Sequence, residues 1–458
     1  MSEPGSPDTP LFVAVVGSGP SGFYATEALL KSGLNVQISM VERLPSPYGL
    51  VRSGVAPDHP KLKQAINVYA GIAESPGFTF LGNVAVGRDV SIDELRATHH
   101  AVILCCGAET DRRLGIPGED LPGSHTATEF VGWYNGHPDY RDHVFNLDAE
   151  TAVIIGQGNV AADVARILAK TADELCHTDI AEHALDALSR SRIRDIYVIG
   201  RRGPAQAKFT SKELKEFGDL AETDPVIDPV ELELNAASQA ELDEKTNAGG
   251  RKVFEIFTEF AQRPPAGKQR RVHFTFCKSP VELRGGDRLE GVVLEANALS
   301  GEAFSQSARG TGVQSELSCG VLFRSIGYRG VAMPGVPFDE KRGVFSNTDG
   351  RIIEAGNAVP GMYVAGWIKR GPTGIIGTNR ADSVATVAAL LEDVRNLGHD
   401  SGKTGAPGLR SLLDERRVRH ISFDDWKKID RSEVDRGSPK QKPREKFTRV
   451  AEMLAVLD

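Results

Sequence analysis

The chain has 458 residues, of which 40% are hydrophobic and 25% are charged, and its formal net charge is −8. This is ordinary globular composition, and it excludes collagen, a mucin-like stalk and a fully disordered chain. At roughly 100–200 residues per domain, the length predicts two to four domains. An isoelectric point near 5.8 argues against a basic nucleic-acid-binding protein, so we expect no nucleic-acid partner.

The chain has five cysteines, Cys105, Cys106, Cys176, Cys277 and Cys319, and none forms a CxxC motif. This pattern argues against a disulfide scaffold, a zinc ribbon and a cysteine-ligated iron–sulfur cluster, and we expect no metal site. Sparse cysteines fit a reducing compartment. The first ten residues lack the character of a signal or transit peptide, and no apolar run reaches about 18 residues. We therefore expect a cytoplasmic location and no transmembrane segment.

The first predicted unit is a βαβ unit at the start of the chain. An apolar strand over residues 11–17 precedes GSGPSG and a helical pattern over 23–31, and a second strand over 36–41 ends at Glu42. Gly17, Gly19 and Gly22 form a GxGxxG fingerprint, the first glycine loop, whose glycines permit the turn, the approach of a pyrophosphate and close helix packing. A carboxylate about 20 residues further on is typical of a group that accepts from ribose hydroxyls.

A second unit of the same kind follows. The strand 151–155 leads into Gly156-x-Gly158-x-x-Ala161, the second glycine loop, and an amphipathic stretch over 163–169. The next strand, 196–199, ends in Gly200 followed by Arg201 and Arg202. Two guanidiniums at this position predict recognition of a 2′-phosphate, which a carboxylate would repel.

Further elements lie between and after these units. A strand is predicted over 101–108, a surface loop over 301–312, and a strand over 362–367 followed by a glycine-rich turn and a helical run toward Leu391. Residues 230–270 are polar and partly helical, and the tail 401–458 is predicted to be a solvated extension packed on the body.

Two fingerprints on one chain predict two dinucleotides, FAD at the acidic first site and NADPH at the basic second site. A flavin together with a nicotinamide implies hydride transfer, with the cofactors supplying the chemistry.

Four longer segments are more specific than either fingerprint: GLVRSGVAPDHP (49–60), GQGNVAADVAR (156–166), GRRGP (200–204) and GWIKRGPTGIIGTN (366–379). Together they resemble adrenodoxin reductase-type ferredoxin–NADP+ reductases, and the resemblance extends to SFDDWKKID (422–430) and KPREK (442–446). It implies an α/β fold with two Rossmann-like domains. An NADP domain (110–327) would be inserted into a discontinuous FAD domain (1–109 and 328–458).

The resemblance also implies residue roles. The residues that would contact FAD are Ser21, Glu42 and Leu50, backbone around Ala85, and Trp367, Gly374, Ile375 and Ile376 beside the isoalloxazine, with Gly374 also approaching the nicotinamide. The residues that would contact NADP are Asn159, Val160, Arg201, Arg202 and Glu213, with Arg112 nearby. His59 and Glu213 match the catalytic histidine–glutamate couple of the family.

The implied function is electron transfer from NADPH through FAD to a ferredoxin, feeding cytochrome P450 or similar oxidations, by a monomer. The ferredoxin is expected to dock on basic residues of the inserted domain, namely Arg251, Lys252, Arg263, Lys268, Arg270 and Arg271. Alternatives are a thiol–disulfide reductase, a flavin monooxygenase, and an NADPH-dependent input subunit resembling the small subunit of glutamate synthase. The first lacks a redox dithiol, the second has no supporting feature, and the third would carry cysteine-rich cluster motifs.

Overall fold

A computed structural model describes residues 3–374, 376–397 and 402–458. The chain divides into two compact units. The first comprises residues 1–55, 59–110 and 327–458, and the second comprises 56–58 and 111–326. The chain therefore leaves the first unit near residue 110 and returns near 327.

The first unit contains a seven-stranded sheet. Its strands, in spatial order, are Asn347–Thr348, Arg351–Glu354, Asn357–Val364, Ala101–Leu104, Leu11–Val16, Val36–Glu42 and Phe78–Gly82. The last five are parallel, whereas the first two pair antiparallel. Leu11, Val13 and Val15 pack on one face and Ala14 and Val16 on the other. Burial on both faces explains the unbroken apolar run of the first strand.

Helices cover both faces of this sheet and form the C-terminal region. Their bounds are Pro20–Leu30, Leu50–Ser53, Pro60–Lys63, Ala65–Ala73, Ile92–Thr98, Trp367–Arg370, Ile376–Asp393, Gly405–Glu415, Phe423–Gly437 and Val450–Ala455, with 3₁₀ turns at Val394–Asn396 and Ser438–Lys440. The hairpin Phe338–Asp339/Val344–Phe345 completes the unit, and the two-residue strands Thr110–Asp111 and Tyr328–Arg329 lie where the chain leaves and returns.

The second unit contains a six-stranded parallel sheet. Its strands, in spatial order, are Ser124–Thr126, Val321–Arg324, Thr151–Ile155, Asp195–Ile199, Arg270–Thr275 and Thr223–Val226. Its helices are Ala127–Tyr134, Asn159–Ala169, Ala172–Leu175, Glu182–Ser189, Ser211–Lys215, Ala236–Asp243 and Ala248–Gln262, with 3₁₀ turns at Pro138–Tyr140, Pro204–Gln206, Glu216–Asp219, Pro229–Leu232 and Lys245–Asn247. A smaller antiparallel sheet consists of Lys278–Arg284, Gly291–Ser300 and Ser307–Ser318.

Several predicted elements differ in detail. The loop predicted over 301–312 is wrong in its second half, because a strand begins at Ser307 and pairs with Gly291–Ser300. Both faces of that edge strand are largely exposed, so it lacks the alternating apolar pattern that identifies strands. The first helix begins at Pro20 rather than Phe23, and the helix of the second loop begins at Asn159 rather than at residue 163. The strand from Ala101 ends at Leu104, not at residue 108.

The tail is more than a solvated extension, because Trp426 is only 1% exposed and belongs to the core of the first unit. No helix in the described part of the chain is long and apolar enough to cross a bilayer.

Candidate functional site: two glycine loops and their charged neighbours

The first glycine loop joins strand Leu11–Val16 to helix Pro20–Leu30. Gly17 has a φ of +100°, and a Cβ there would lie 2.6 Å from the carbonyl oxygen of Cys105. A Cβ on Gly22 would overlap the carbonyl oxygen of Gly17. A Cβ on Gly19, the N-cap, would meet nothing within 4 Å. The loop thus leaves open space at the helix N-terminus, where unpaired N–H groups favour a pyrophosphate.

Glu42 lies at the end of its strand with its carboxylate held against this loop. Its Oε2 accepts hydrogen bonds from the Ser18 N–H (3.0 Å) and hydroxyl (2.6 Å), and its Oε1 accepts from the Leu44 N–H (3.1 Å). A carboxylate has about four lone-pair sites, so acceptor capacity remains for a ribose hydroxyl. The sequence did not single out Ser18, although it lies inside the fingerprint.

Three other predicted FAD contacts belong to the same unit. Leu50 begins helix Leu50–Ser53 and is 41% exposed, an apolar surface able to cover a cofactor. The Ser21 hydroxyl lies 3.3 Å from Asn379 Oδ1, to which it donates. The Ala85 N–H donates to Asp89 (2.8 Å), and its carbonyl accepts from the N–H groups of Arg88 (3.2 Å) and Asp89 (2.8 Å). Because these backbone groups already have partners, Ala85 offers a ligand mainly its methyl group.

The glycine-rich turn near residue 370 contains an unusual buried donor. The Trp367 Nε1–H is buried and has no hydrogen-bond partner among the described residues, while the indole ring stacks on Tyr328 at 5.3 Å between ring centroids. A buried donor without an acceptor is costly, and the polar edge of an isoalloxazine is a suitable acceptor. Gly374 has a φ of +85°, and Ile376 begins helix Ile376–Asp393. Ile375 lies outside the described residues.

The second glycine loop has the same construction. Gly156 has a φ of +135°, and a Cβ there would overlap the Ser325 carbonyl oxygen. Gly158 caps helix Asn159–Ala169, and a Cβ on it would meet nothing within 4 Å. The Asn159 side chain accepts from the Thr210 N–H (2.8 Å), and Val160 packs on the core of this unit. Open space at this second helix N-terminus fits a second dinucleotide.

The backbone carbonyls of Arg201 and Arg202 accept hydrogen bonds, whereas their side chains extend without an ion pair. The Arg201 carbonyl accepts from Asn297 Nδ2 (2.9 Å), and the Arg202 carbonyl accepts from the Cys277 N–H (3.0 Å). Neither guanidinium has an ion pair or hydrogen bond with any residue that the structure describes, and the same holds for the exposed Arg112. Unpartnered guanidiniums beside the second loop are suited to an anionic ligand.

A buried polar network follows these arginines and was not predicted. Gln206 Nε2 donates to Ser238 Oγ (3.1 Å) and Glu241 Oε2 (3.0 Å), and Gln306 Nε2 donates to Glu241 Oε1 (3.0 Å). Burial raises the pKa of Glu241, but hydrogen bonds from Gln306 and Gln206 outweigh it, so the pKa lies below its usual value. The network anchors the turn that presents Arg202.

Glu213 belongs to a buried ionic cluster centred on Arg166. The fully buried Arg166 guanidinium donates to Glu213 Oε2 (3.1 Å), Asp163 Oδ1 (2.6 Å) and both oxygens of Asp58 (2.7 and 3.1 Å). Lys170 also pairs with Asp58, at 2.8 Å. Burial alone would raise the pKa of Asp58, but Arg166 and Lys170 hold it well below its usual range.

His59 and Glu213 belong to different units. His59 is buried in the first unit and precedes helix Pro60–Lys63, while Glu213 is buried in helix Ser211–Lys215 of the second unit. Asp58, the residue before His59, packs with the second unit. The sequence showed no sign of the Arg166 cluster, because its members are up to 155 positions apart in the chain.

The adjacent cysteines do not form a redox site. All five cysteines are free thiols. Burial raises the pKa of Cys106 to about 12 and that of Cys105 well above its usual value. Reactive cysteines have lowered pKa values and accessible thiolates, so this pair lacks the features of a redox site.

All six basic residues predicted to dock a ferredoxin have partners within their own unit. The Arg251 guanidinium donates to the carbonyls of Leu242 (2.9 Å) and Glu244 (2.5 Å), where it caps the C-terminal end of helix Ala236–Asp243. The exposed Lys252 pairs with Glu255 at 3.0 Å. The remaining four bind nearby carboxylates or carbonyls: Arg263, Lys268, Arg270 and Arg271.

Comparison with known proteins identifies related oxidoreductases. Residues 12–199 match the pyridine nucleotide-disulphide oxidoreductase family. The chain is 43% identical to the mitochondrial NADPH:adrenodoxin oxidoreductase of Arabidopsis thaliana, over 97% of this chain and 95% of that protein. It is 44% identical to the NADPH-ferredoxin reductase FprA of Mycobacterium leprae, over 97% and 98% of the two chains.

A solved structure is similar over the same length. The chain superposes on Mycobacterium tuberculosis FprA in complex with NADPH with a TM-score of 0.92 and 42% identity, covering 98% of this chain and 99% of the other. The predicted α/β fold with two Rossmann-like sheets is thereby confirmed. Near-complete coverage at this identity leads to one conclusion: the chain belongs to the family of NADPH:adrenodoxin oxidoreductases and NADPH-ferredoxin reductases.

Proposed function

We propose that this protein is an FAD-dependent oxidoreductase that takes electrons from NADPH and passes them to a ferredoxin-type iron–sulfur protein. The observation that carries the proposal is the pairing of two similar glycine loops with opposite charges. Glu42 lies against the first loop, where it can accept from ribose hydroxyls. Arg201 and Arg202 follow the strand next to the second loop, where they can bind a 2′-phosphate.

The two units have separate roles in this proposal. The first binds FAD through residues 17–22, Glu42, the turn at Leu50 and the turn at Trp367, and its unpartnered indole N–H supports this assignment. The second binds NADPH through Asn159, Val160, Arg201 and Arg202, with Arg112 nearby and open space above Gly158.

The chain's own residues would bind and orient both cofactors and protect them from water. Bound FAD would supply the redox chemistry, which is the uptake of two electrons from the nicotinamide and their release one at a time. His59 and Glu213 are proposed to position the nicotinamide and to hold or move a proton beside the flavin. Arg166 donates to Glu213 Oε2 and so fixes the orientation of that carboxylate. A thiol–disulfide reductase fits less well, because both adjacent thiols are buried or have raised pKa values.

Cofactor content tests the proposal directly. The purified protein should be yellow and should release about one FAD per chain on denaturation, because one of the two Rossmann units has the acidic residue that suits FAD. It should contain no iron, because the sequence has no cysteine motif for an iron–sulfur cluster. Chromatography of the released flavin and an iron assay give the answer. FMN, stoichiometric iron, or folded protein without flavin would refute the assignment.

The proposed ferredoxin contact is at Lys252, with Arg251 as part of the same surface. Ferredoxins are usually acidic, and an attraction between exposed charges should weaken as salt rises. Because Arg251 caps a helix, reversing its charge would disturb the local fold, so Lys252→Glu is the cleaner variant. It should raise the ferredoxin Michaelis constant at low salt.

Lys31→Glu is a matched control for this experiment. Lys31 is 69% exposed and pairs with Glu27, much as Lys252 is 61% exposed and pairs with Glu255. Both variants change the net charge equally, so only a local contact distinguishes them. Equal Michaelis constants for the two variants would argue against docking at Lys252.

A monomeric state and a cytoplasmic location complete the proposal. Five free thiols support a reducing compartment. Light scattering of the purified protein should give a mass near 49.3 kDa, and a mass twice as large would refute the monomer.

A further inference from the structure

The C-terminal segment of the first unit surrounds a short helix that lies beside the first glycine loop. Arg52, in helix Leu50–Ser53, makes two hydrogen bonds to Glu433, at 2.9 Å from Nη1 to Oε2 and 2.6 Å from Nη2 to Oε1. Both side chains are buried, and the guanidinium lies 5.0 Å from the ring centroid of the buried Trp426. Such a buried two-point ion pair fixes the relative position of the two helices.

Residues 422–447, which we name the clamp segment, contain Glu433 and contribute further hydrogen bonds and charges to both Glu433 and Arg52. The Phe447 N–H donates to Glu433 Oε1 (3.0 Å), and Arg444 lies 3.4 Å from Glu433 Oε2. Lys446 Nζ donates to the Arg52 carbonyl (3.3 Å). Loss of either charge would leave its partner buried with reduced compensation, and this is destabilising.

The other end of the short helix touches the first glycine loop. The Tyr48 N–H donates to the Ser18 carbonyl (3.0 Å). A Cβ on Gly49 would lie 2.9 Å from the Gly19 Cα, so the backbones of the two segments are in direct contact. The turn therefore forms a wall of the space in which the pyrophosphate of FAD is expected.

This turn has a strained conformation that its surroundings must maintain. Tyr48 has a φ of +86°, which is rare for a bulky residue and persists only where the packing enforces it. The Tyr48 ring is buried and packs edge-on against Trp426 at 6.0 Å between ring centroids. The clamp segment thus contacts both the strained residue and the helix that follows it.

We propose that the clamp segment is part of the FAD site, in which Arg52 and Glu433 act as positioning residues that hold the Tyr48–Arg52 turn against the first glycine loop. The inference rests on the proposed function and extends it to the C-terminal tail. Weakening the Arg52–Glu433 pair should therefore increase the rate of FAD release.

The test compares two variants that each remove one carboxylate charge from an arginine pair in the same unit. Glu433→Gln weakens the Arg52–Glu433 pair of the clamp segment. Asp393→Asn weakens the pair of Arg351 with Asp393 (2.7 and 3.1 Å), which lies at the other end of helix Ile376–Asp393 from the glycine-rich turn. The holoproteins are diluted, and FAD release is followed by the recovery of flavin fluorescence. The free energy of unfolding of each apoprotein is measured by urea titration.

Glu433→Gln should release FAD at least about tenfold faster than the wild type, which corresponds to the loss of about one charged hydrogen bond. The Asp393→Asn variant should release FAD at a rate within about twofold of the wild-type rate. Arg52→Lys keeps the charge but loses the two-point geometry, and it should show an intermediate rate even if Glu433→Gln does not fold.

Three results would overturn the inference: unchanged release in the folded Glu433→Gln variant, unchanged release in Arg52→Lys, or equal acceleration in Asp393→Asn. Failure of the proposed function is a separate outcome, because it would appear as wild-type protein that contains no FAD.

Discussion

Replacement of Arg201 and Arg202 by alanine should abolish the preference for NADPH over NADH. Both residues follow Gly200 at the end of strand Asp195–Ile199, and their backbone carbonyls are held by Asn297 and Cys277. Their guanidiniums have no ion pair or hydrogen bond with the described residues, although the charge of Arg202 acts on the buried Glu241. Their removal therefore takes away ligand contacts without breaking an ion pair of the fold.

The expected loss of kcat/KM for NADPH follows from the exposure of the two side chains. Arg201 is exposed, so its contact with a phosphate should contribute about 1 kcal/mol, as exposed ion pairs do. Arg202 is half-buried, so its charged hydrogen bonds should contribute about 2 kcal/mol. Together these amount to about 3 kcal/mol, or roughly a hundredfold in kcat/KM for NADPH. NADH has no 2′-phosphate, so its kcat/KM should change by less than about threefold, which is below 1 kcal/mol.

The assay is the steady-state rate of acceptor reduction with each nucleotide, for the wild type, both single variants and the double variant. Arg288→Ala is a matched control, since it removes an exposed arginine from the same unit in the turn between Lys278–Arg284 and Gly291–Ser300. Its nucleotide preference should equal that of the wild type. A double variant that keeps the wild-type preference would refute the assignment of the second loop to NADPH.

Three further predictions concern stability and FAD binding. Arg166→Met should lower the free energy of unfolding by about 3–5 kcal/mol in urea titrations, because it leaves the buried carboxylates of the cluster under-compensated; a loss below 1 kcal/mol would contradict this. Burial lowers the pKa of His99 to about 4 from its ordinary 6.5, so its neutral form contributes stability that is complete above pH 6.5 and is lost as the pH falls toward 4. His99→Gln should remove up to about 3 kcal/mol of that acid dependence, and identical pH profiles would exclude the effect. Gly22→Ala should prevent FAD binding because its Cβ would overlap the Gly17 carbonyl, whereas Gly71→Ala, where nothing lies within 4 Å, should leave it unchanged.

The features that the sequence predicted well are local in the chain. The glycine spacings identify each loop because the glycines lie a few positions apart, although the overlaps at Gly17 and Gly156 involve Cys105 and Ser325, which are distant in the chain. Arg201 and Arg202 were proposed as phosphate ligands because they follow a strand at a fixed distance from the second loop, and their contact with a nucleotide stays a prediction.

The features that the sequence did not predict depend on contacts between distant residues. Arg52 meets Glu433 across 381 positions and Arg166 meets Asp58 across 108, and no local pattern identifies such partners. Counting charges also overestimated the free basic surface, since Arg251 uses its guanidinium to cap a helix. The strand Ser307–Ser318 was missed because its exposed, Ser- and Gly-rich sequence resembles a loop.

The most direct test of the proposed electron path is the reduction of a purified ferredoxin by NADPH, followed by the ferredoxin's own absorbance, with the protein before and after removal of FAD. The proposal predicts rapid reduction by the FAD-loaded protein, none by the stripped protein, and recovery on addition of FAD but not FMN. A flavin that NADPH reduces while every ferredoxin of a panel stays oxidised would contradict the proposal, as would ferredoxin reduction that does not depend on FAD.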